Sequence, residues 1–266
     1  MEKQETWITL NSTFLYLIAF LLTTILHEFS HALVGLIFGS QPIIHHNYVQ
    51  HIADEGLSIN QHVLISIVGP FFSLIQGTAV GWFYLIRKKQ NLLSLFLLWF
   101  SMCGFNNFFG YLMTGPLFKQ GDIGKVHLLL NFPLAVQILF ALVGITFLIF
   151  IAYKLTVPFL KFSYNSQWLI DKPSKKLFAF RIIILPWLIG SICLTLLYLP
   201  VIAIVSIIYP FMSGMIFILP WKNAGRIENI LLTEESGIGK FNLITIVLLI
   251  ILTLCFKFIL APGIEL

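Results

Sequence analysis

Residues 17–38 read LIAFLLTTILHEFSHALVGLIF, an apolar run in which the only ionisable residues are His27, Glu28 and His31. A helix over residues 13–38 would be about 39 Å long, which exceeds the roughly 30 Å hydrocarbon layer of a bilayer. We therefore expect a transmembrane helix that carries these three side chains near one end, at membrane depth. The rest of the chain is interpreted outward from this helix.

The composition places the whole chain among membrane proteins. Of its 266 residues, 58% are hydrophobic and only 10% are charged, whereas about a quarter of the residues of a soluble domain are charged. The net charge of +5 indicates membrane topology rather than nucleic-acid binding, because Lys and Arg accumulate in cytoplasmic loops. Cys103, Cys193 and Cys255 lie in apolar runs, which argues against a disulfide framework. We expect a multi-pass protein of the cell membrane, surrounded by the lipid bilayer and without a nucleic-acid partner.

Further apolar stretches predict an all-α polytopic fold with about six to seven transmembrane helices. Residues 40–61 are polar, lack a helical period and contain short β-tolerant runs, so a short hairpin or re-entrant loop is expected there. We expect one membrane-embedded domain over 1–266, with a core at 7–130 and additional transmembrane helices at 131–266. The spans expected after the first are 63–86, 92–113, 132–153, two within 181–221, and 241–260.

The charge distribution also predicts an orientation. Lys and Arg cluster near the N-terminus, at 87–89, and along the connection 154–181, and the positive-inside rule assigns this side to the cytoplasm. The first and third spans then end on the opposite side. This orientation brings the His pair and Asp122 to the same side of the membrane.

The spacing of His27, Glu28 and His31 is typical of a metal site. The two His are four residues apart, so both imidazoles project from one face of a helix. In an H-E-x-x-H arrangement the two His hold zinc and the Glu handles the proton of a water. A charged group in mid-membrane costs about 2.5 to 3.5 kcal/mol on insertion scales, a cost that metal coordination offsets. A buried polar network between spans is the alternative interpretation.

Asp122 is the candidate third ligand, because a catalytic zinc site usually has three protein ligands. It is one of only three aspartates, and Asp171 lies on the opposite side of the membrane by the charge distribution. The Gly-Pro break at 115–116 and Gly121 allow the backbone before Asp122 to return toward the first span. A helix N-cap or a solvated loop charge is the alternative role.

Taken together, these motifs resemble the site-2 protease family of intramembrane zinc metalloproteases. The matching elements cover about the first 130 residues in the family's order: His27-Glu28-x-x-His31 with Gly35 and Gly39 after it, Gly69-Pro70-Phe71-Phe72-Ser73 as a Gly-Pro-x-x-Asn-like element, and Asp122 as an Asp-Gly-type element. Ser73 stands where the family often has Asn, and Ile123 replaces the Gly after the Asp.

The resemblance implies a role for each element. Asp122 would complete the zinc site, Glu28 would be the catalytic base, and Gly69, Pro70 and Ser73 would lie on the substrate side. Close packing through small residues is the other interpretation of the Gly-Pro element.

The resulting hypothesis is a zinc-dependent, membrane-embedded endopeptidase, a hydrolase with Zn²⁺ as its cofactor and membrane proteins as its substrates. An unwound substrate segment could pair with a strand edge within 40–61 or near Gly69. A metal-binding or transport protein without enzymatic activity and an inactive structural relative stay open as alternatives. His45 and His46 are expected in a solvated loop.

Overall fold

The computed structural model describes residues 2–87, 89–199, 205–228, 230–232, 234 and 237–266. The fold is mainly helical, as the sequence predicted, with a small β-sheet whose hairpin follows the first helix. The elements are, in chain order, α1 (Glu2–Ile37), β1 (Gln41–Ile44), β2 (Val49–Ile52), α2 (Ile59–Ile86), α3 (Leu92–Thr114), α4 (Asp122–Leu129), α5 (Leu134–Leu160), α6 (Lys172–Ala179), α7 (Leu185–Tyr198), α8 (Val205–Gly214), α9 (Ile218–Ala224), α10 (Leu243–Leu254) and β3 (Ile264–Glu265).

Six helical segments of the described chain are long and apolar enough to cross a membrane, which agrees with a multi-pass protein. They are Lys3–Ile37, Ile59–Ile86, Leu92–Thr114, Leu134–Leu160, Lys172–Tyr198 and Leu243–Leu260. The last two of these continue through π-helical turns at Phe180–Ile184 and Cys255–Leu260.

Two spans were expected within 181–221, and the described residues contain one. That span runs from Lys172 to Tyr198. The following apolar residues form α8 and α9, which are 10 and 7 residues long and are separated by a 3₁₀ turn. A transmembrane helix needs about 17 to 25 residues, so neither helix is long enough alone. Residues 200–204 of the expected second span lie outside the described part of the chain.

Local hydrogen bonds explain where α1 ends and α2 begins. α1 ends in a Schellman motif, in which Gly39 has φ 88° and the Ser40 N–H donates to the Gly35 carbonyl at 3.0 Å. α2 begins in a capping box. The Ser58 N–H donates to Gln61 Oε1 at 2.8 Å, and the Gln61 N–H donates to Ser58 Oγ at 3.4 Å.

The hairpin between these helices consists of the antiparallel strands β1 and β2, in a register that pairs Pro42 with His51 and Ile44 with Val49. β3 pairs with the other edge of β1, so the strand order is β2-β1-β3. Both edges of β1 are therefore occupied. β2 and the two-residue β3 are the edge strands of this sheet.

The chain forms two compact units, each made of three segments. Unit 1 comprises Met1–Ala19, Val80–Phe100 and Ile149–Ile250, and unit 2 comprises Phe20–Ala79, Ser101–Leu148 and Ile251–Leu266. The candidate metal ligands, Glu28 and the Gly-Pro element all belong to unit 2.

Unit 1 has an aromatic core around Trp99. This fully buried ring lies 5.0 Å from the Tyr16 ring, 4.9 Å from Phe159 and 5.2 Å from Phe217. Its indole N–H donates to Ser12 Oγ at 3.0 Å. Buried tryptophans usually have such a partner, because an unpaired indole N–H is costly inside a core.

The Ser12 hydroxyl also supports the π-helical turn between α6 and α7. Pro186 has no N–H to offer the Ile182 carbonyl four residues before it. The Ser12 hydroxyl donates to this carbonyl at 2.7 Å. The Ile182 carbonyl, which has no helical donor at Pro186, thus receives its hydrogen bond from Ser12 of α1.

Unit 2 holds α2 close to α1 and α3. A Cβ added at Gly104 of α3 would lie 2.6 Å from the Ser73 carbonyl oxygen, so the two backbones approach directly. The Ser101 hydroxyl donates to the Gly77 carbonyl at 2.7 Å. The side-chain amide of Gln76 on α2 donates a hydrogen bond to α1. These contacts determine which face of α2 is presented to the His pair.

Candidate metal centre

Three ligand atoms converge in unit 2. His27 Nε2 lies 2.9 Å from Asp122 Oδ2, and His31 Nε2 lies 3.4 Å from the same oxygen. The two Nε2 atoms are 3.1 Å apart. Both His side chains are buried and Asp122 is half-buried. The structure therefore brings together the three residues that the sequence selected as metal ligands.

The hydrogen bonds of the two imidazoles indicate their tautomers. His27 Nδ1 lies 3.3 Å from Ser73 Oγ, and the Ser73 hydroxyl donates its proton to the Gly69 carbonyl at 3.1 Å. The Ser73 oxygen is therefore the acceptor for a His27 Nδ1–H. His31 Nδ1–H donates to the Ile65 carbonyl at 2.5 Å. We therefore assign the proton of each ring to Nδ1, the tautomer that leaves each Nε2 lone pair available to a metal.

Gly69 provides the space that the two rings occupy. A Cβ at this position would lie 2.6 Å from His31 Cε1 and 2.8 Å from His27 Cε1, and still closer to His31 Nε2. Any side chain here would collide with the ligands. Pro70 is buried next to Gly69 within α2. The Gly-Pro element, for which the resemblance implied a substrate-side role, thus contacts the ligands through Gly69 and orients His27 through Ser73.

Asp122 reaches the His pair from the first turn of α4. The chain turns after α3, where the Leu117 N–H donates to the Thr114 carbonyl at 2.9 Å, and Gly121 precedes Asp122 as the N-cap residue. Burial alone would raise the pKa of the Asp122 carboxyl, but the positive charge that His31 carries when protonated, together with hydrogen bonds from protonated His27 and His31, holds this pKa well below its usual range. The carboxylate is therefore in the ionised form that binds a cation.

Glu28 lies beside this group on α1. Its side chain is buried, with 7% of its surface exposed, although it is a carboxylic acid. It interacts electrostatically with His27, His31 and Asp122. A glutamate is rarely buried unless a charged or hydrogen-bonding partner offsets the loss of hydration. A cation held by the three ligand atoms would provide that partner.

The dimensions of the group fit a metal ion. Tetrahedral zinc with bonds of about 2.0 to 2.1 Å holds its ligand atoms about 3.3 Å apart. The three separations here range from 2.9 to 3.4 Å. A catalytic zinc site uses the same set of donors: two imidazole nitrogens, a carboxylate oxygen and a fourth position left for water. The group could therefore hold a metal ion.

Sequence reasoning missed two contributors to this site. The Tyr111 ring stacks on the His27 ring at 5.3 Å with an interplanar angle of 8°. One more aromatic residue in a chain with 26 Phe provides no recognisable signal. Ile65 contributes only its backbone carbonyl, which its side-chain type could not indicate.

His45 and His46 were expected in a solvated loop, and the structure places them in the turn of the hairpin, where both are half-buried. The His45 ring stacks on Tyr48 at 4.3 Å, and His46 meets the Phe256 ring edge-on at 5.1 Å. Burial lowers the pKa of His46, and the charges of Lys257 and His45 lower it further. Within the described part of the chain, neither residue belongs to the metal-binding group.

No protein-family model matches this chain, and comparisons with curated proteins and with solved structures find no match either. The fold and the site by themselves define a class: a helical, multi-pass membrane protein with a buried His-His-Asp group that could hold a metal ion.

Proposed function

We propose that the protein is a zinc-dependent endopeptidase embedded in the membrane, which hydrolyses peptide bonds of membrane proteins in the manner of site-2 proteases. The observation that supports this function best is the convergence of His27, His31 and Asp122 within 3.4 Å, with Glu28 buried beside them. The resemblance of the motifs to that family supports the same assignment.

The number of ligands favours a catalytic site over a structural one. Structural zinc sites usually close the coordination shell with four protein ligands, whereas catalytic sites keep one position for water or substrate. The metal-binding group found within the described residues has three members. Glu28 then has a function that a structural site would not need.

The residues of the chain divide the chemistry between them. A bound zinc ion would lower the pKa of a water toward 7 and polarise the scissile carbonyl. Glu28 accepts a proton from the attacking water as the new C–O bond forms, and it returns that proton to the amine nitrogen as the peptide C–N bond breaks. Ser73 and the Ile65 carbonyl keep the two imidazoles in the tautomer and orientation that binding requires.

The hairpin offers a docking edge for the substrate. A substrate helix hides its backbone amides in internal hydrogen bonds, so it must unwind before it can be cut. The unwound segment is extended and can add to the outer edge of β2, because both edges of β1 are already paired.

Zinc content and cleavage test this function together. The wild type and the variants Glu28→Gln and Asp122→Ala are purified in detergent, analysed for zinc by mass spectrometry and incubated with membrane-protein substrates in liposomes. We expect Glu28→Gln to keep zinc and lose cleavage, because the amide cannot take the proton. Asp122→Ala should lose most of both.

A matched control is Glu55→Gln, which changes an exposed glutamate of the same unit and should leave both readouts unchanged. A wild-type protein without zinc would refute the proposal. Zinc binding without cleavage that depends on Glu28 would instead support a metal-binding or transport protein.

A further inference from the structure

The face of α1 that carries His27 and His31 continues for one turn beyond His31. His51 of β2 covers this face there. Gly35 lies four residues after His31 and eight after His27, so all three share one helix face. A Cβ at Gly35 would lie 2.5 Å from His51 Nδ1 and 2.7 Å from Ser40 Oγ. The His51 ring therefore sits directly on the α1 backbone, beside the metal-binding group.

Ser40 fixes the orientation of this imidazole. The Schellman motif at the end of α1 places Ser40 next to Gly35, and Ser40 Oγ lies 2.9 Å from His51 Nδ1. We assign the Ser40 hydroxyl as the donor to Nδ1, the direction in which the proton of His51 is on Nε2. No hydrogen bond to Nε2 is found among the residues that the structure describes. His51 is half-buried, and in this tautomer its Nε2–H is a donor that no described residue satisfies.

The surroundings of His51 favour its neutral form. Burial lowers the pKa of the His51 imidazole, and the charge of Lys125 lowers it further. Asp54 acts in the opposite direction, and His62 adds to the lowering. A neutral imidazole is a hydrogen-bond donor that is less costly to desolvate than a charged one. It suits a neutral acceptor such as a peptide carbonyl.

We propose that His51 is a substrate-binding residue whose Nε2–H donates to a backbone carbonyl of the unwound substrate, two to three residues from the scissile bond. This inference rests on the proposed peptidase function. The rise of an α-helix puts Gly35 about 6 Å from His31 and about 9 Å from the midpoint of the His pair. An extended chain advances about 3.3 Å per residue, so two to three residues cover this distance.

The physical need for this contact arises from the membrane. Unwinding a substrate helix frees backbone carbonyls from their internal hydrogen bonds, and each unsatisfied carbonyl is energetically costly in a medium without water. His51 would replace one of the lost bonds close to the point of cleavage. The unwound state would then be stabilised where the reaction requires it.

A backbone-isostere scan tests this proposal. A transmembrane peptide that the wild type cleaves is synthesised with a single E-alkene in place of one peptide bond, at each of four positions on either side of the scissile bond. We expect the alkene two or three residues away to lower kcat/KM about two- to twelvefold in the wild type, the range for one neutral hydrogen bond. In His51→Phe, which keeps a ring against Gly35, the same alkene should cause no further loss.

His51→Gln retains an N–H donor and should restore part of the position-specific effect, while His45→Phe serves as the control at the other end of the hairpin. Zinc content is measured in every variant. If His51 had a merely structural role, its substitution would lower kcat/KM for all peptides by a similar factor. An alkene effect that is equal in the wild type and in His51→Phe would refute the inference. A wild type that cleaves no peptide would refute the proposed function and this inference with it, so the two failures are distinguishable.

Discussion

Replacing Gly69 by Ala should greatly weaken metal binding while the fold is retained. The new methyl group would lie 2.6 Å from His31 Cε1 and 2.8 Å from His27 Cε1, whereas ordinary contact begins at 3.4 Å. The His31 ring must therefore retreat by at least about 0.8 Å, the change that takes Cε1 from 2.6 to 3.4 Å. Metal sites tolerate deviations of about 0.2 Å in their ligand distances. The displacement is several times larger than this tolerance.

We expect the zinc affinity of Gly69→Ala to fall at least 100-fold. Loss of an outer-shell partner already lowers metal affinity about 10- to 100-fold, and here a ligand itself is displaced. Affinity is measured by competition with a chromophoric chelator on detergent-purified protein, and thermal unfolding of the zinc-free protein is recorded in parallel.

The matched control is Gly110→Ala on α3 of the same unit. No heavy atom lies within 4 Å of the position of its Cβ, so this substitution should leave zinc affinity unchanged. Alanine is also the better helix former by about 0.5 to 1 kcal/mol. If Gly69→Ala bound zinc as tightly as Gly110→Ala, the His rings could not be packed against α2 as described, and the geometry of the site would be wrong.

Three further outcomes follow from other contacts. Ser73→Ala removes the acceptor of an imidazole N–H and should weaken zinc binding about tenfold in the chelator competition, and an unchanged affinity would contradict the assigned tautomer. Gly104→Ala places a methyl group 2.6 Å from a backbone carbonyl and should destabilise the protein by about 1 to 3 kcal/mol, visible as a lower Tm than in the wild type. The hydrogen bond from the Ser174 N–H lowers the pKa of Asp171, so this cap stabilises α6 at neutral pH and is lost as pH falls below about 4. In Asp171→Ala the decline of Tm between about pH 5 and pH 3 should be shallower, and an unchanged slope would count against the cap.

Features that depend on local geometry could be predicted from the sequence. His27 and His31 lie on one helical turn, so helix geometry alone places them together. Long apolar stretches predicted the membrane spans, since the hydrocarbon layer sets a minimum length. The hairpin within 40–61 was predicted for a similar reason, because polar residues without a helical period exclude a continuous helix.

The division of a long apolar stretch into separate helices could not be predicted from the sequence. The stretch 181–221 is apolar enough for two spans, yet α8 and α9 are short helices on either side of a 3₁₀ turn. Hydrophobicity measures whether a segment can enter a membrane. It does not determine where the helix is interrupted, which depends on tertiary contacts such as the hydrogen bond from the Trp187 indole N–H to the Pro210 carbonyl.

The sequence by itself determined the His pair, the adjacent Glu28 and the choice of Asp122, because ionisable residues in an apolar chain are few and expensive. Only the tertiary structure decided how these residues are held. Ser73 contacts a residue 46 positions earlier in the chain, and Gly69 accommodates both rings. Contacts between separate helices depend on the relative rotation and depth of those helices, and no local sequence pattern specifies either quantity.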